Sequence, residues 1–379
     1  MRTVYIPLIK SVPIKLASEL KKRLFYVSNE ISDFRLIEVD RRIGGIEVTS
    51  ATDGLDIPAL SAKINELVKS DILKQKTFPP KVVWRSDSVP TYQANMFETL
   101  VEKGMAFEAG EGQVGFGEPL ISLMDYFDRR VKQIAMGLPN AQEYRYPTLL
   151  PTHVLDEFDY FASFPQFMMF VTRLHNDLDV YRTFVQEYED NQKITPALFS
   201  HCQNVDLCLP PTMCYHTYHQ YRGQQLDKNM VVTAKGKSFR FESKYYRGLE
   251  RLWDFTIREI VFMGTRGFVL ECRQAFMQQA FSLMEELDLH GYCEVANDPF
   301  FVANNTAGKI FSQRALELKY ELRLHVAQRS AQPTECSIAV ASFNFHEKFF
   351  GETFQINEEN QNPIFTGCVG FGLERLPTR

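Results

Sequence analysis

The sequence predicts an α+β protein made of a small N-terminal α/β unit, residues 1–85, and a larger unit, residues 86–379. Three observations predict it. Strand-like and amphipathic helical runs alternate through the first unit, longer helices take over near residue 90, and the final third returns to strands. A chain of 379 residues accommodates two such units, and 45% hydrophobic residues are ample for their cores.

In the first unit "TVYIPLI" reads as a strand and "PIKLASELKKRLFYV" as a helix, with Ile14, Leu20 and Leu24 near helical spacing. "RLIEVD" and "GIEVTS" read as strands split by a turn at Gly44 and Gly45. "IPALSAKINELVKSDIL" is a second amphipathic helix that aligns Leu60, Ile64, Leu67, Val68 and Ile72. After the hinge "TFPPK", the strand "KVVWRS" is expected to close the unit. Beyond it, "ANMFETLVEKGM" and "LISLMDYFDRRVKQIAMGL" read as helices. "QEYRYPTLLP" reads as a strand broken by Pro147 and Pro151, and "THVLDEFDYFAS" as a helical stretch. Residues 268–287 form a long helix with Phe268, Cys272, Phe276, Ala280 and Met284 along one face. "ECSIAVASFNF" and "ETFQI" are the closing strands, and no internal repeat is visible.

The net charge of −5 argues against a broad basic surface for nucleic acid. Seven scattered cysteines make no disulfide framework, and "MRTVYIPLIKSVPIK" has no apolar run of the kind that opens a secreted chain. No stretch approaches the roughly 18–20 apolar residues of a membrane span. The expectation is a cytoplasmic protein without a membrane partner.

Two segments carry chemistry. Residues 238–264, "SFRFESKYYRGLERLWDFTIREIVFMG", read as strand, charged loop, strand. Alternate side chains of a strand share a face, so Arg240 and Glu242 point together, and Arg251, Trp253, Phe255, Ile257 and Glu259 form another set. Guanidinium groups hold phosphates with planar, permanently charged donors, and an aromatic ring covers a base, so such a hairpin suits a nucleotide. A hairpin with its charges in water is the blander alternative. In "MCYHTYHQ" a Cys-x-His-x-x-His set is too tightly spaced for the usual structural zinc frameworks. His216 and His219 read as polar lining or surface, with Cys214 and His216 sharing a face if the segment is a strand. Cys202, Cys208, Cys272, Cys293 and Cys336 read as small hydrophobes.

"FRFE…RLWDF…RE" resembles motif 2 of class II aminoacyl-tRNA synthetases, "GCVGFGLERL" resembles their motif 3, and "YRYPTLLP" is a degenerate motif 1. "MCYH", "REIVFMG" and "TGCVGFGLER" in that order resemble the zinc-dependent branch. That branch holds the methanogen-type seryl-tRNA synthetases and the amino acid:[carrier protein] ligases, and "LKYEL" and "ASFNFH…FFGETFQI" point to the ligases. The resemblance covers about residues 90–375 and leaves the first unit without a role. It implies an antiparallel sheet flanked by helices, with a helical insertion at about 268–330 on which a carrier would dock.

By position, the resemblance implies that Cys214, Glu259 and Cys368 bind Zn2+ and that Arg240 meets the α-phosphate of ATP. Glu242 is implied near the adenine amino group, Phe255 on the adenine ring, Arg251 near the distal phosphates, and Arg375 on the γ-phosphate. Ser342 and Asn344 lie on the strand that lines the amino-acid pocket. The implied reaction, with Mg2+, activates a small amino acid as an aminoacyl-adenylate and loads it on the phosphopantetheine thiol of a carrier protein, in a homodimer. Against tRNA as acceptor stand the acidic charge and the small first unit. A seryl-type tRNA synthetase and a non-catalytic binding paralogue are the competing readings. Pro377, directly after Leu376, predicts that the helix carrying Arg375 is short or absent.

Overall fold

In the computed structural model, residues 2–50, 54–76, 78–87, 96–242, 249, 251–300, 305–325 and 337–376 are described. The loop residues between Glu242 and Leu249, Cys336 and Pro377 lie outside them.

The N-terminal strands Arg2–Pro13, Ile31–Val39 and Arg42–Ser50 form an antiparallel sheet with Arg42–Ser50 in the centre. Helices Ala17–Leu24 and Ile57–Ser70 supply Leu20, Leu24, Leu60, Ile64 and Val68 to a core of their own, against Ile6, Ile43, Ile46 and Val48. Asp56 caps the second helix by accepting from the Ala59 N–H at 3.0 Å. The turn between the last two strands falls at Asp40 and Arg41, both with positive φ, and not at Gly44 and Gly45. Those glycines lie inside the central strand. A Cβ at Gly45 would come within 2.4 Å of ring atoms of Tyr5, so close approach and not turning selects glycine there.

The larger unit is organised by an eight-stranded sheet. In spatial order its strands are Val82–Arg85, Gly291–Val295, Lys319–His325, Ser337–Glu347, Phe365–Gly372, Asp254–Gly264, Met230–Phe239 and Ala141–Tyr144. All neighbours are antiparallel except the last pair. The strand within "KVVWRS" therefore belongs to the edge of this sheet and does not close the N-terminal unit. Tyr292 and Cys293 pair with Arg85 and Trp84, and the Trp84 ring stacks on Phe281 at 5.0 Å.

One face of the sheet is apolar. Ile260, Phe262, Leu322, Phe343, Val369 and Phe371 pack there on the helix Arg266–Glu286 through Val269, Cys272, Phe276, Ala280 and Met284. Thr265 caps that helix. Emptying its centre with Phe276→Ala is expected to cost about 3–5 kcal/mol. The other face divides. Val232, Val261 and Met263 are covered by the helix Cys214–Gln220 and by Phe350 and Phe354, while Ile257, Glu259, Glu321 and Arg323 line a polar cleft.

Two segments differ from their sequence pattern. Residues 268–330 are not a helical insertion: after the long helix come two sheet strands and the short helix Thr306–Ala315. Their alternation of Glu294, Glu321 and Arg323 with Cys293, Leu322 and Leu324 is that of a two-faced strand. Phe276, Met277, Phe281 and Met284 of the long helix are buried core. "ETFQI" is the end of the helix Phe349–Thr353 and a turn, with Phe354 and Ile356 fully buried under Tyr218. No helix among the described residues is long and apolar enough to cross a membrane.

Candidate active site

Three buried groups from three distant segments meet where the covered half of the sheet gives way to the cleft. Cys214 opens the helix Cys214–Gln220, Glu259 lies mid-strand in Asp254–Gly264, and Cys368 lies in Phe365–Gly372. Their ligand atoms all lie within 4.8 Å of one another. Glu259 accepts a hydrogen bond from Thr212 Oγ1 at 2.8 Å. Asn344 Nδ2 donates to Cys368 Sγ at 3.3 Å, and His346 Nε2 lies 3.7 Å from the same sulfur.

Burial pushes the Glu259 carboxyl up to about 7, against the pull of Thr212, Cys368 and the Arg240 charge. The Cys214 thiol is raised by burial, partly offset by its hydrogen bond with Cys368. Cys368 is raised well above its ordinary value by that bond and by burial. Burial thus raises all three groups, and the Arg240 charge opposes it at Glu259 and Cys214. Two thiols and one carboxylate are the donor set of a borderline-soft divalent ion, and three protein ligands leave a coordination position for a substrate. The local backbone makes room for it. Gly370 is paired with Glu259 across the sheet, and a Cβ there would stand 2.8 Å from Ile257 Cδ1 and 3.3 Å from Glu259 Oε2.

The cation-rich part of the cleft adjoins this cluster. Arg240 follows directly on the strand Met230–Phe239, its N–H bonded to the Trp253 carbonyl and its Nε to the Pro211 carbonyl at 3.0 Å. Its guanidinium lies 5.3 Å from the centre of the Phe255 ring and 5.9 Å from that of Phe167. Arg251 Nη1 and Glu242 Oε2 pair at 2.9 Å. Arg375 occupies the single 3-10 turn Leu373–Arg375 and donates from Nη1 to the Ala339 carbonyl at 2.8 Å. Burial lowers it to about 10, with Glu242 and Glu321 opposing and Arg240 and Arg251 adding to the fall. Three guanidiniums, one carboxylate and one ring thus share one half-buried cleft, and guanidinium hydrogen bonds suit a polyanion.

Ser342 and Asn344 stand beside the cluster: Ser342 pairs with Gly370, and Asn344 with Cys368. Asn344 Nδ2 also donates to Ser342 Oγ at 3.2 Å. The alternation expected for Arg251 and Trp253 does not extend that far, because the strand starts only at Asp254. Trp253 packs on Phe241 and over Gly112, whose Cβ would lie 2.3 Å from Trp253 Cδ1.

"MCYHTYHQ" is a helix, so Cys214 and His216 do not share a face. His216 stacks on Tyr146 at 5.4 Å, and His219 meets the edge of His153 at 5.6 Å. Both stay outside the cluster. Among the described cysteines all are free, and Cys208, Cys272 and Cys293 are buried. Sequence reasoning passed over Thr212 and His346. The alternation Ser342, Asn344, His346 was the available signal for the second, whereas Thr212 had none.

No protein-family model matches the chain. The type-2 serine–tRNA ligase of Methanocaldococcus jannaschii is 27% identical over 274 residues, 70% of this chain and 51% of that protein. The chain therefore spans about half the length of such relatives. Amino acid–[acyl-carrier-protein] ligase 1 of Bradyrhizobium diazoefficiens is 32% identical over 234 residues, 61% of this chain and 68% of that protein. Among solved structures, M. kandleri SerRS in complex with A. aeolicus tRNASec superposes with a TM-score of 0.69 at 19% identity, covering 99% of this chain and 73% of that one. That match spans the N-terminal unit too, and it carries the fold: an α+β, class II aminoacyl-tRNA synthetase-like antiparallel sheet flanked by helices. With one relative above 30% identity matched over two thirds of its length, the chain belongs to the family that unites the amino acid–[acyl-carrier-protein] ligases with the type-2 serine–tRNA ligases.

Proposed function

We propose that this chain is an adenylate-forming ligase. It activates a small amino acid with ATP and Mg2+ and passes the aminoacyl group to the phosphopantetheine thiol of a carrier protein. The observation that supports this most is the convergence of Arg240, Arg251, Arg375, Glu242 and Phe255 beside the Cys214–Glu259–Cys368 cluster. The 32% identity to an amino acid–[acyl-carrier-protein] ligase favours a carrier thiol as acceptor.

Zinc at the three-residue cluster would supply a Lewis-acidic anchor for the substrate α-amine. The chain's own residues do the rest. Phe255 offers its ring to adenine, and Glu242 accepts from the exocyclic amine. Arg240 meets the α-phosphate, and Arg251 and Arg375 meet the distal phosphates. Held so, the amino-acid carboxylate oxygen attacks the α-phosphorus and pyrophosphate leaves. The charge gathering on the phosphoryl oxygens is met by guanidiniums that need no reorganisation. The carrier thiol then attacks the acyl carbonyl, AMP departs, and a thioester remains. Ser342 and Asn344 border the amino-acid side, and Asn344 also steadies the Cys368 sulfur.

The test is amino-acid-dependent ATP–pyrophosphate exchange across the twenty common amino acids, with and without a zinc chelator, followed by transfer to a phosphopantetheinylated carrier. Exchange with one or a few small amino acids, lost on chelation and followed by thioester formation, is expected. The relatives named serine–tRNA ligases support a second reading. Serine-dependent exchange followed by tRNA charging without carrier loading would establish it. Folded, zinc-loaded protein without any exchange would overturn both.

A further inference from the structure

His346 is a half-buried histidine that the reaction as derived does not use. It sits at an irregularity of the sheet. Where the strand Ser337–Glu347 pairs with Phe365–Gly372, Asn344 faces Cys368 and Phe345 faces Gly367, and the next pair is Glu347 with Thr366. Two residues of one strand there oppose one of the other, so His346 is the extra residue of a bulge. A bulge re-aims the side chain it carries. The ring comes to lie with Nε2 3.7 Å from Cys368 Sγ, and with Nδ1 3.3 Å from the Tyr218 hydroxyl and 3.4 Å from the Thr366 hydroxyl.

Two aromatic rings fix its plane. Phe350 meets the imidazole at 4.9 Å and Tyr218 at 6.2 Å, both nearly perpendicular to it. Both belong to the apolar core on that side of the sheet, so the imidazole is braced from behind. The ligand atoms that all lie within 4.8 Å of one another are those of Cys214, Glu259 and Cys368, without His346. The imidazole therefore stands beside the cluster as a neighbour of one ligand and not as a fourth ligand.

The sulfur decides which ring nitrogen carries the hydrogen. A metal-bound thiolate offers only lone pairs, so Nε2 has to donate to it. Nδ1 then presents a lone pair, and it faces two hydroxyls that are able to donate. Asn344 Nδ2 is a second donor to the same sulfur. Such N–H groups draw charge from a thiolate and fix the direction in which its remaining lone pairs point. We infer that His346 is a positioning residue for the Cys368 thiolate, its Nε2–H set on the sulfur by the Tyr218 and Thr366 hydroxyls at Nδ1. This rests on the zinc site of the reading above.

The experiment loads the full chain with Zn2+ or with Co2+, whose thiolate charge-transfer band reports on the sulfur itself, for wild type, His346→Leu and His346→Gln. Thermal melting of the metal-free proteins controls for folding, and ATP–pyrophosphate exchange is followed in parallel. His346→Leu is expected to weaken zinc about 10–100-fold in chelator competition. It should also move the Co2+ band to longer wavelength, since a sulfur without its donor gives up charge more readily. His346→Gln carries an amide N–H near the place of Nε2, so it should restore the band and bring zinc affinity back to within about threefold of wild type. An unmoved band in His346→Leu, or a glutamine variant as impaired as the leucine one, overturns the inference and leaves the ligase reading intact. Loss of metal together with the metal-free melting transition in both variants means that the ring only fills space, and also overturns it. The expected band shifts without exchange for any amino acid support the inference and remove the ligase reading alone. Wild type that takes up neither ion removes the zinc site and this inference together.

Discussion

Arg258 and Glu259 are neighbours in one strand, nearly equally buried, and they are satisfied in opposite ways. Arg258 faces the helix Leu120–Met136. Asp128 takes its Nε and Nη2 at 2.7 and 2.9 Å, and Glu143 takes Nη1 at 2.9 Å. Its charge is answered within the protein. Glu259 faces the cleft beside one hydroxyl donor and two thiols, and burial outweighs the pull of the Arg240 charge on it. The comparison teaches how to tell a structural charge from a functional one in a buried strand. A charge whose partners are all present serves the fold, while a carboxyl raised by burial and set among thiols is available to something that arrives.

The sharpest way to break this comparison is to remove each residue in turn. Arg258→Met leaves Asp128 with Lys235 and Glu143 with Lys132 as their remaining cations, and is expected to cost about 3 kcal/mol in urea unfolding, with zinc still bound by the folded fraction. Glu259→Gln should keep the metal-free stability within about 1 kcal/mol while bound zinc, read by metal analysis, drops from stoichiometric to trace. Equal destabilisation by both would erase the distinction.

Arg240→Ala should lower the exchange rate by about 10²–10³-fold at saturating substrates, with zinc content unchanged, because the lost donor acts on charge that develops in the reaction. Gly370→Ala probes the space beside Glu259. Its Cβ pushes on Ile257 and Glu259, so a loss of about 1–3 kcal/mol and weaker metal binding are expected in the same protein. The smallest effect belongs to Asn344→Ala, which removes a donor to Cys368 and should weaken zinc roughly tenfold in a chelator competition, with stability little changed.

Much of the site was legible because strands have a period of two. Phe255, Ile257 and Glu259 fall on one face by counting alone, and the structure has them on the face opposite Ile260 and Phe262. Motif order brought Cys214, Cys368 and the arginines into the same discussion, and they lie in one cleft. Counting failed where the local conformation differed from the assumed one. Cys214 and His216 would share a face in a strand, but Cys214–Gln220 is a helix. Trp253 lies outside the strand whose alternation was extended to it. Val82–Arg85 reads as the close of the first unit because the chain reaches it from there, but Gly291–Val295 offers the sheet edge it pairs with.

By itself, then, the sequence determined periodicities: which side chains of a strand or helix travel together, and which motifs follow in order. These are properties of a few consecutive residues and need no knowledge of neighbours. Only the tertiary structure decided what covers each face. It joined a helix start, a mid-strand carboxylate and a distant thiol into one cluster, answered the charge on the far side of the same strand with its own ion pairs, and brought Tyr26 against Phe167 from the other unit. Strand pairing and burial are long-range choices, made by the whole set of apolar and charged surfaces at once. A period states which way a residue points, and only packing supplies what it points at.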